Sequence, residues 1–106
     1  MTSTARDHYN QGILQKKRYL YTDALASFEA ALAIEPENHE FLMARGNMLY
    51  ALERYQEALD SYRKAESLAG VRHRGLLLAI SSTLAALGRH QESVQVYEEG
   101  MQAPRA

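Results

Sequence analysis

The chain contains no cysteine, which excludes disulfides, thiol catalysis and cysteine-ligated zinc. A chain without thiols also suits a reducing compartment. Neither charge sign is in useful excess: 12 Lys+Arg face 13 Asp+Glu in 106 residues, a formal net charge of −1. That balance supplies no bulk field for nucleic acid or for an anionic membrane. No apolar run approaches the ~18 residues of a membrane span; the longest candidate, GLLLAI at 75–80, is far too short. The opening MTSTARDHYNQG has no apolar centre that could act as a signal peptide. There is no low-complexity segment. The expectation is one soluble, cytoplasmic domain over residues 1–106, with no membrane and no nucleic-acid partner.

What the chain does contain is a repeat. Residues 46–65 read GNMLYALERYQEALDSYRKA, with Tyr55, Ala58, Tyr62 and Ala65 at helical spacings of three and four. Gly12, Tyr21, Ala24, Phe28 and Ala31 stand in the same order, each 34 residues before its counterpart. A period of that length marks a helical hairpin repeat. After the second copy the spacing becomes 35, so that ALGRHQE at 86–92 follows ALERYQE at 51–57 and Tyr97 follows Tyr62.

The pattern predicts six helices. The first spans about 5–18, with Ser3 or Thr4 as N-cap and Lys16-Lys17-Arg18 in its last turn. The second starts near Thr22 as N-cap and stops before Pro36. Asn38 caps the third, about 39–52; the fourth covers about 56–68 and stops at Gly70. Gly70 to His73 form a linker, and a third hairpin follows at about 74–87 and 91–102, with Pro104 closing it. Gly88 allows a tight turn that Glu53 must make without glycine's freedom.

Two antiparallel helices approach closely only where side chains are small. Gly12, Gly46 and Ser81 mark that place on the first helices, and Ala24, Ala58 and Ser93 on the second. Phe28, Tyr62 and Tyr97 are the large residues expected to fill the wedge beside each crossing. Ala31, Ala65 and Gly100 lie one turn on, where the next hairpin would stack. One hairpin cannot bury its own apolar stripe, so neighbouring hairpins must supply the core.

On these residues the chain resembles the tetratricopeptide repeat family. Residues 5–38 and 39–72 match its glycine, alanine, aromatic, alanine and proline pattern well. The third copy, 74–106, is degenerate at Ser81, Ser93 and Gly100. The resemblance implies an all-α, right-handed superhelical array of three antiparallel hairpins, whose first helices line a concave face. It further implies that the face is lined by Arg6, Tyr9, Ile13, Lys16 and Lys17, then Glu40, Met43, Asn47 and Tyr50, then Gly75, Leu78, Ser82 and Ala85. Relatives that grip the carboxyl terminus of heat-shock chaperones use lysines, asparagines and an arginine there. The corresponding places here hold Tyr9, Ile13, Ala44, Gly75 and Ala79, none of them charged, so that clamp is absent. An apolar groove looks more like the small three-repeat chaperones of bacterial type III secretion.

No motif organises catalysis. His8, His39, His73 and His90 share no metal-ligand spacing, Ser81-Ser82 lacks a nucleophile elbow, and no phosphate-cradling glycine loop exists. Glu35, Glu37, Glu40 and Glu98-Glu99 read as solvated faces or helix-dipole partners. No enzyme activity, cofactor or metal is expected. Lys16-Lys17-Arg18 and Arg72-His73-Arg74 are short and lack interleaved aromatics, so a contact to an acidic peptide competes only with solvated helix ends. The partner expected is a protein or peptide segment, held by Tyr9, Ile13, Lys16, Lys17, Met43, Asn47, Tyr50, Leu78 and Ser82. The competing reading makes these residues core, or contacts to another copy. Val94, Val96, Tyr97 and Met101 on the last helix form a second candidate surface, for self-association into a scaffold.

Overall fold

The computed structural model describes residues 3–70 and 73–103. Six helices follow one another: α1 (Ala5–Lys17), α2 (Tyr21–Ile34), α3 (His39–Ala51), α4 (Tyr55–Ala69), α5 (Arg74–Ala86) and α6 (His90–Gln102). No strand occurs among the described residues. The helices pair as α1 with α2, α3 with α4 and α5 with α6, and the pairs stack through α2 on α3 and α4 on α5. The stack measures 48 × 26 × 19 Å, elongated because each hairpin touches only its neighbours.

The three hairpin turns share one solution. Each first helix ends in a left-handed residue, Tyr19 (φ 63°), Glu53 (φ 62°) or Gly88 (φ 79°). In the first, Leu20 N–H donates to Gln15 O at 2.9 Å and Tyr19 N–H to Lys16 O at 2.9 Å; the same pair of bonds recurs at Arg54 and Glu53 and at Arg89 and Gly88. This satisfies the last helical carbonyls and reverses the chain at once. It also moves the start of α2. The expected N-cap, Thr22, lies inside the helix, because Leu20 already occupies the cap position without a side-chain bond. At the equivalent places Arg54 and Arg89 reach forward to Glu57 (2.7 Å) and Glu92 (2.8 Å). These pairs raise the two guanidinium pKa values and hold both carboxyls below their ordinary range, through the hydrogen bonds first.

The helices that begin each hairpin use side-chain caps. Thr4 closes α1 with a capping box, its hydroxyl accepting from Asp7 N–H at 3.1 Å while its own N–H donates to Asp7 Oδ2 at 3.0 Å. Asn38 Oδ1 accepts from Phe41 N–H at 3.1 Å, as the sequence indicates. His73 caps α5, its Nδ1 accepting from Leu76 N–H at 3.3 Å. Between hairpins, Glu35 leaves the helical region ahead of Pro36 (φ −127°, ψ 79°), and Gly70 ends α4 in a left-handed turn (φ 65°). Val71, Arg72 and Pro104, which complete the expected linker and chain end, lie outside the described residues.

The core runs along the seam of the stack. Ala24, Phe28, Leu49, Ala58, Leu76 and Leu84 are completely buried in one continuous cluster. The close crossings fall where expected in the first two hairpins. A Cβ on Gly12 would meet the Phe28 ring at 2.5 Å, and one on Gly46 the Tyr62 ring at 2.6 Å. The third hairpin departs. Ser81 Oγ donates to Ser93 O at 2.8 Å and Ser93 Oγ to Ser81 O at 2.8 Å, so hydroxyls fill the place that a ring takes elsewhere. Tyr97 is therefore not the buried wedge residue the repeat implies: it stands half exposed. Gly100 also has a different neighbour from the one expected, since a Cβ there would press on Leu77 and Leu78 of α5, in its own hairpin.

Candidate functional site

Side chains from α1 and α3 converge on a cleft of about 200 Å³ lined by Tyr9, Ile13, Lys16, Met43 and Asn47, with Phe28 and Met48 at its base. Helical spacing explains the convergence. Tyr9, Ile13 and Lys16 share one face of α1, and Met43 and Asn47 share one face of α3. Stacking sets the two faces side by side. Tyr9 anchors the step, its ring 5.6 Å from Phe28 and stacked at 5.1 Å on Phe41. Burial and then Glu40 raise the Tyr9 phenol pKa.

Beside the cleft Arg6 Nη1 meets Glu40 Oε1 at 2.7 Å, joining the first two hairpins, while its guanidinium lies 5.0 Å from the Tyr9 ring centre and 5.2 Å from that of Phe41. Glu40, an expected lining residue, is thus committed to structure, and that hydrogen bond raises the Arg6 pKa. Asn47 is partly committed as well. Tyr62 Oη donates to Asn47 Oδ1 at 2.5 Å, so the acceptor is used internally and the amide donors remain for a ligand.

The other expected groove residues are not gathered here. Tyr50 packs edge-on against Tyr55 at 5.3 Å, beside the hairpin turn. Leu78 leans on α6, within 3.2 Å of a Cβ at Gly100, and Ser82 stands exposed on α5. Lys17 is exposed next to the cleft's Lys16. The cleft therefore belongs to the first two hairpins. A second groove of about 370 Å³ lies between α2, α3 and α4 and contains none of the sequence-predicted residues; Arg45 and Glu29 line it and pair at 3.4 Å.

On α6, Val94, Tyr97 and Met101 are exposed as expected, whereas Val96 packs partly into the core and is removed from that surface. One basic group changes role. Arg74 donates to Gly100 O at 3.3 Å and Met101 O at 3.0 Å, capping the carbonyl end of α6, and His73 is an N-cap. Neither is available as the cationic patch the sequence suggests, and Arg72 lies outside the described residues. No group of three or more metal-ligating side chains occurs among the described residues, and no described helix is long and apolar enough to cross a membrane.

Residues 9–72 match the family described as Tetratricopeptide repeat, and residues 75–105 match a second family of the same description. The chain belongs to the tetratricopeptide repeat family. Its six helices are three such repeats, and repeats of this family form protein-interaction modules. A STIP1 homolog from Dictyostelium discoideum is 30% identical over 97 residues, covering 92% of this chain but only 17% of the relative. The second TPR of Spaghetti (RPAP3), solved with the HSP90 peptide SRMEEVD, superposes with a TM-score of 0.88 at 19% identity, over 95% of this chain and 93% of that one. The Sgt2 TPR domain from Aspergillus fumigatus gives 0.84 at 17% identity, over 92% and 64%. MamA gives 0.88 at 16% identity, over 96% and 59%. At such identities the solved structures establish the shared fold.

Proposed function

We propose that this tetratricopeptide repeat chain is a non-catalytic adaptor of the cytoplasm, acting as one domain over residues 1–106. Its cleft between α1 and α3 holds an apolar segment of a partner protein. The observation that carries this reading is the convergence of Tyr9, Ile13, Met43 and Asn47 around one cleft. An aromatic ring and a deformable methionine suit an apolar anchor, and the Asn47 amide can fix the backbone beside it. Lys16 in the cleft lining and the exposed Lys17 next to it draw an acidic flank of the segment and speed its approach at low salt. Support also comes from the relatives, one of them solved with a bound peptide.

A peptide library displayed on phage, selected against the chain, provides ligands for isothermal titration. Selected segments should carry an apolar anchor, and Tyr9→Ala and Met43→Ala should each weaken them at least tenfold with helicity unchanged. Ligands that bind both variants like the parent would place the site elsewhere. A second reading, a self-assembling scaffold, is favoured by one observation: Val94, Tyr97 and Met101 lie exposed together on α6.

A further inference from the structure

The 12 cations and 13 acids nearly cancel over the whole chain, but they are not spread evenly along the stack. Each helix runs antiparallel to the next, so the three hairpin turns share one edge and the links between hairpins share the other. The first turn differs from its two counterparts. Lys17, Arg18 and Tyr19 stand where the second hairpin has Ala51, Leu52 and Glu53 and the third has Ala86, Leu87 and Gly88. At its tip Tyr19 and Leu20 are 78% and 44% exposed. The equivalent pairs Glu53-Arg54 and Gly88-Arg89 are exposed too, although a hairpin precedes each, so this exposure belongs to the turn itself. Tyr19 also sits at φ 63°, where any Cβ is disfavoured, and its ring meets only the edge of Tyr21, at 6.2 Å. A bulky side chain held there adds little to the fold, and strain of this kind is characteristic of functional positions.

We propose that the first hairpin turn docks on an anionic bilayer surface, Tyr19 and Leu20 entering the headgroup layer beside Lys17 and Arg18. Charge supports that partner. Among the described residues no acid pairs with Lys16, Lys17 or Arg18, whereas the neighbouring tips neutralise themselves, Arg54 with Glu57 and Arg89 with Glu92. Asp23 and Glu53 are the other acids of this edge, which leaves the first turn positive. Shape favours a flat partner over an acidic peptide. Neither groove described above is lined by Lys17, Arg18, Tyr19 or Leu20, which form a convex tip. Tyrosine and leucine suit the boundary of headgroups and acyl chains, while the cations reach lipid phosphate and carboxylate. Each cation near an anionic leaflet contributes about fivefold in affinity, so the attachment is reversible and weakened by salt. It needs no net charge on the chain, and it leaves Tyr9, Met43 and Asn47 of the cleft untouched.

Co-sedimentation of the full chain with vesicles of phosphatidylcholine and phosphatidylserine in equal parts tests this. The chain should pellet with them at low salt, be released at high salt, and ignore vesicles of phosphatidylcholine alone. Lys17→Glu with Arg18→Glu should weaken pelleting about tenfold or more. Arg63→Glu with Lys64→Glu, the same charge change on α4, should weaken it far less. Tyr19→Asn should weaken it several-fold while raising the melting temperature, because asparagine accepts the left-handed backbone more readily. A purely structural Tyr19 would not separate those two readings. Where the glutamate pair loses helicity by circular dichroism, Lys17→Gln with Arg18→Gln takes its place. A parent that does not pellet at low salt overturns the proposal. So does an equal loss in the α4 pair, which would mean a general charge effect, or a Tyr19→Asn protein that pellets like its parent. An oligoglutamate peptide that titrates as tightly as the vesicles overturns it too, since the occupant would then be an acidic segment. The cleft is tested separately by Tyr9→Ala and Met43→Ala.

Discussion

Adding one methyl group at Gly46 tests the packing of the second hairpin. A Cβ there would stand 2.6, 2.8 and 3.0 Å from three atoms of the Tyr62 ring. That ring is not a flexible tip: Tyr62 is 2% exposed and its hydroxyl is held by Asn47 at 2.5 Å. Making room means shifting α4 or turning the ring, which overpacks the seam at about 1–3 kcal/mol. Loss of the Asn47 bond adds about 1 kcal/mol. Against this, alanine gains about 1 kcal/mol over glycine inside a helix. Gly46→Ala should therefore destabilise by about 1–3 kcal/mol. Gly75→Ala is the control of opposite sign, because its nearest neighbours are His73 ring atoms at 3.7 and 3.8 Å, an ordinary contact. It should gain up to about 1 kcal/mol from propensity alone. Urea midpoints at equal slope read both effects. A Tyr62→Leu background should shrink the Gly46→Ala cost, since the clash is with the ring. A Gly46→Ala protein as stable as its parent would refute the close crossing.

Four further outcomes are checked by the same or simple assays. At the left-handed turns, Glu53→Gly should stabilise by up to about 1 kcal/mol and Gly88→Ala should cost about as much, as read by thermal melts. Thr4→Ala should cost about 1 kcal/mol through loss of the capping box. Asp7, whose carboxyl is held below its ordinary range by the Thr4 N–H and then by the Thr4 hydroxyl, stabilises α1 above the ordinary carboxylate pKa. That contribution disappears as pH falls through its lowered value, and Asp7→Asn should flatten the acid limb of a stability-against-pH curve. Finally, the peptide SRMEEVD, bound in the RPAP3 structure, should titrate no more tightly than its scrambled sequence. A clear preference for SRMEEVD would show that Tyr9, Ile13, Ala44, Gly75 and Ala79 do not abolish a carboxylate grip.

The fold was legible because its signals are periodic. Glycine, alanine and an aromatic returning at 34 residues locate both helices of a hairpin, and the six observed helices begin within a residue or so of their expected starts. Thr22 misled because local capping chemistry was read at a place where the preceding Schellman-type turn already sets the helix start. Tyr97 misled for a tertiary reason: its repeat position guarantees a pocket only if the facing residue is glycine, and here Ser81 and Ser93 bond to each other. The site was half legible. Spacing placed Tyr9, Ile13, Lys16, Met43 and Asn47 on facing stripes, and stacking brings them together. Spacing carries no record that Tyr50 would turn to Tyr55 or Leu78 to Gly100.

The burial of Tyr62 makes the protein its own optical probe. Burial, then the neighbouring Tyr50, lifts the Tyr62 phenol well above its ordinary value of 10.0. Ionised tyrosine absorbs differently in the ultraviolet, and this ring ionises at moderate alkalinity only when the second hairpin opens. Above pH 10 the opened form therefore loses a proton that the closed form keeps, and stability declines as pH rises toward the folded value. After a jump into alkali the exposed tyrosines respond at once. A late rise in absorbance, missing in Tyr62→Phe, would time the opening of the hairpin that forms one wall of the cleft.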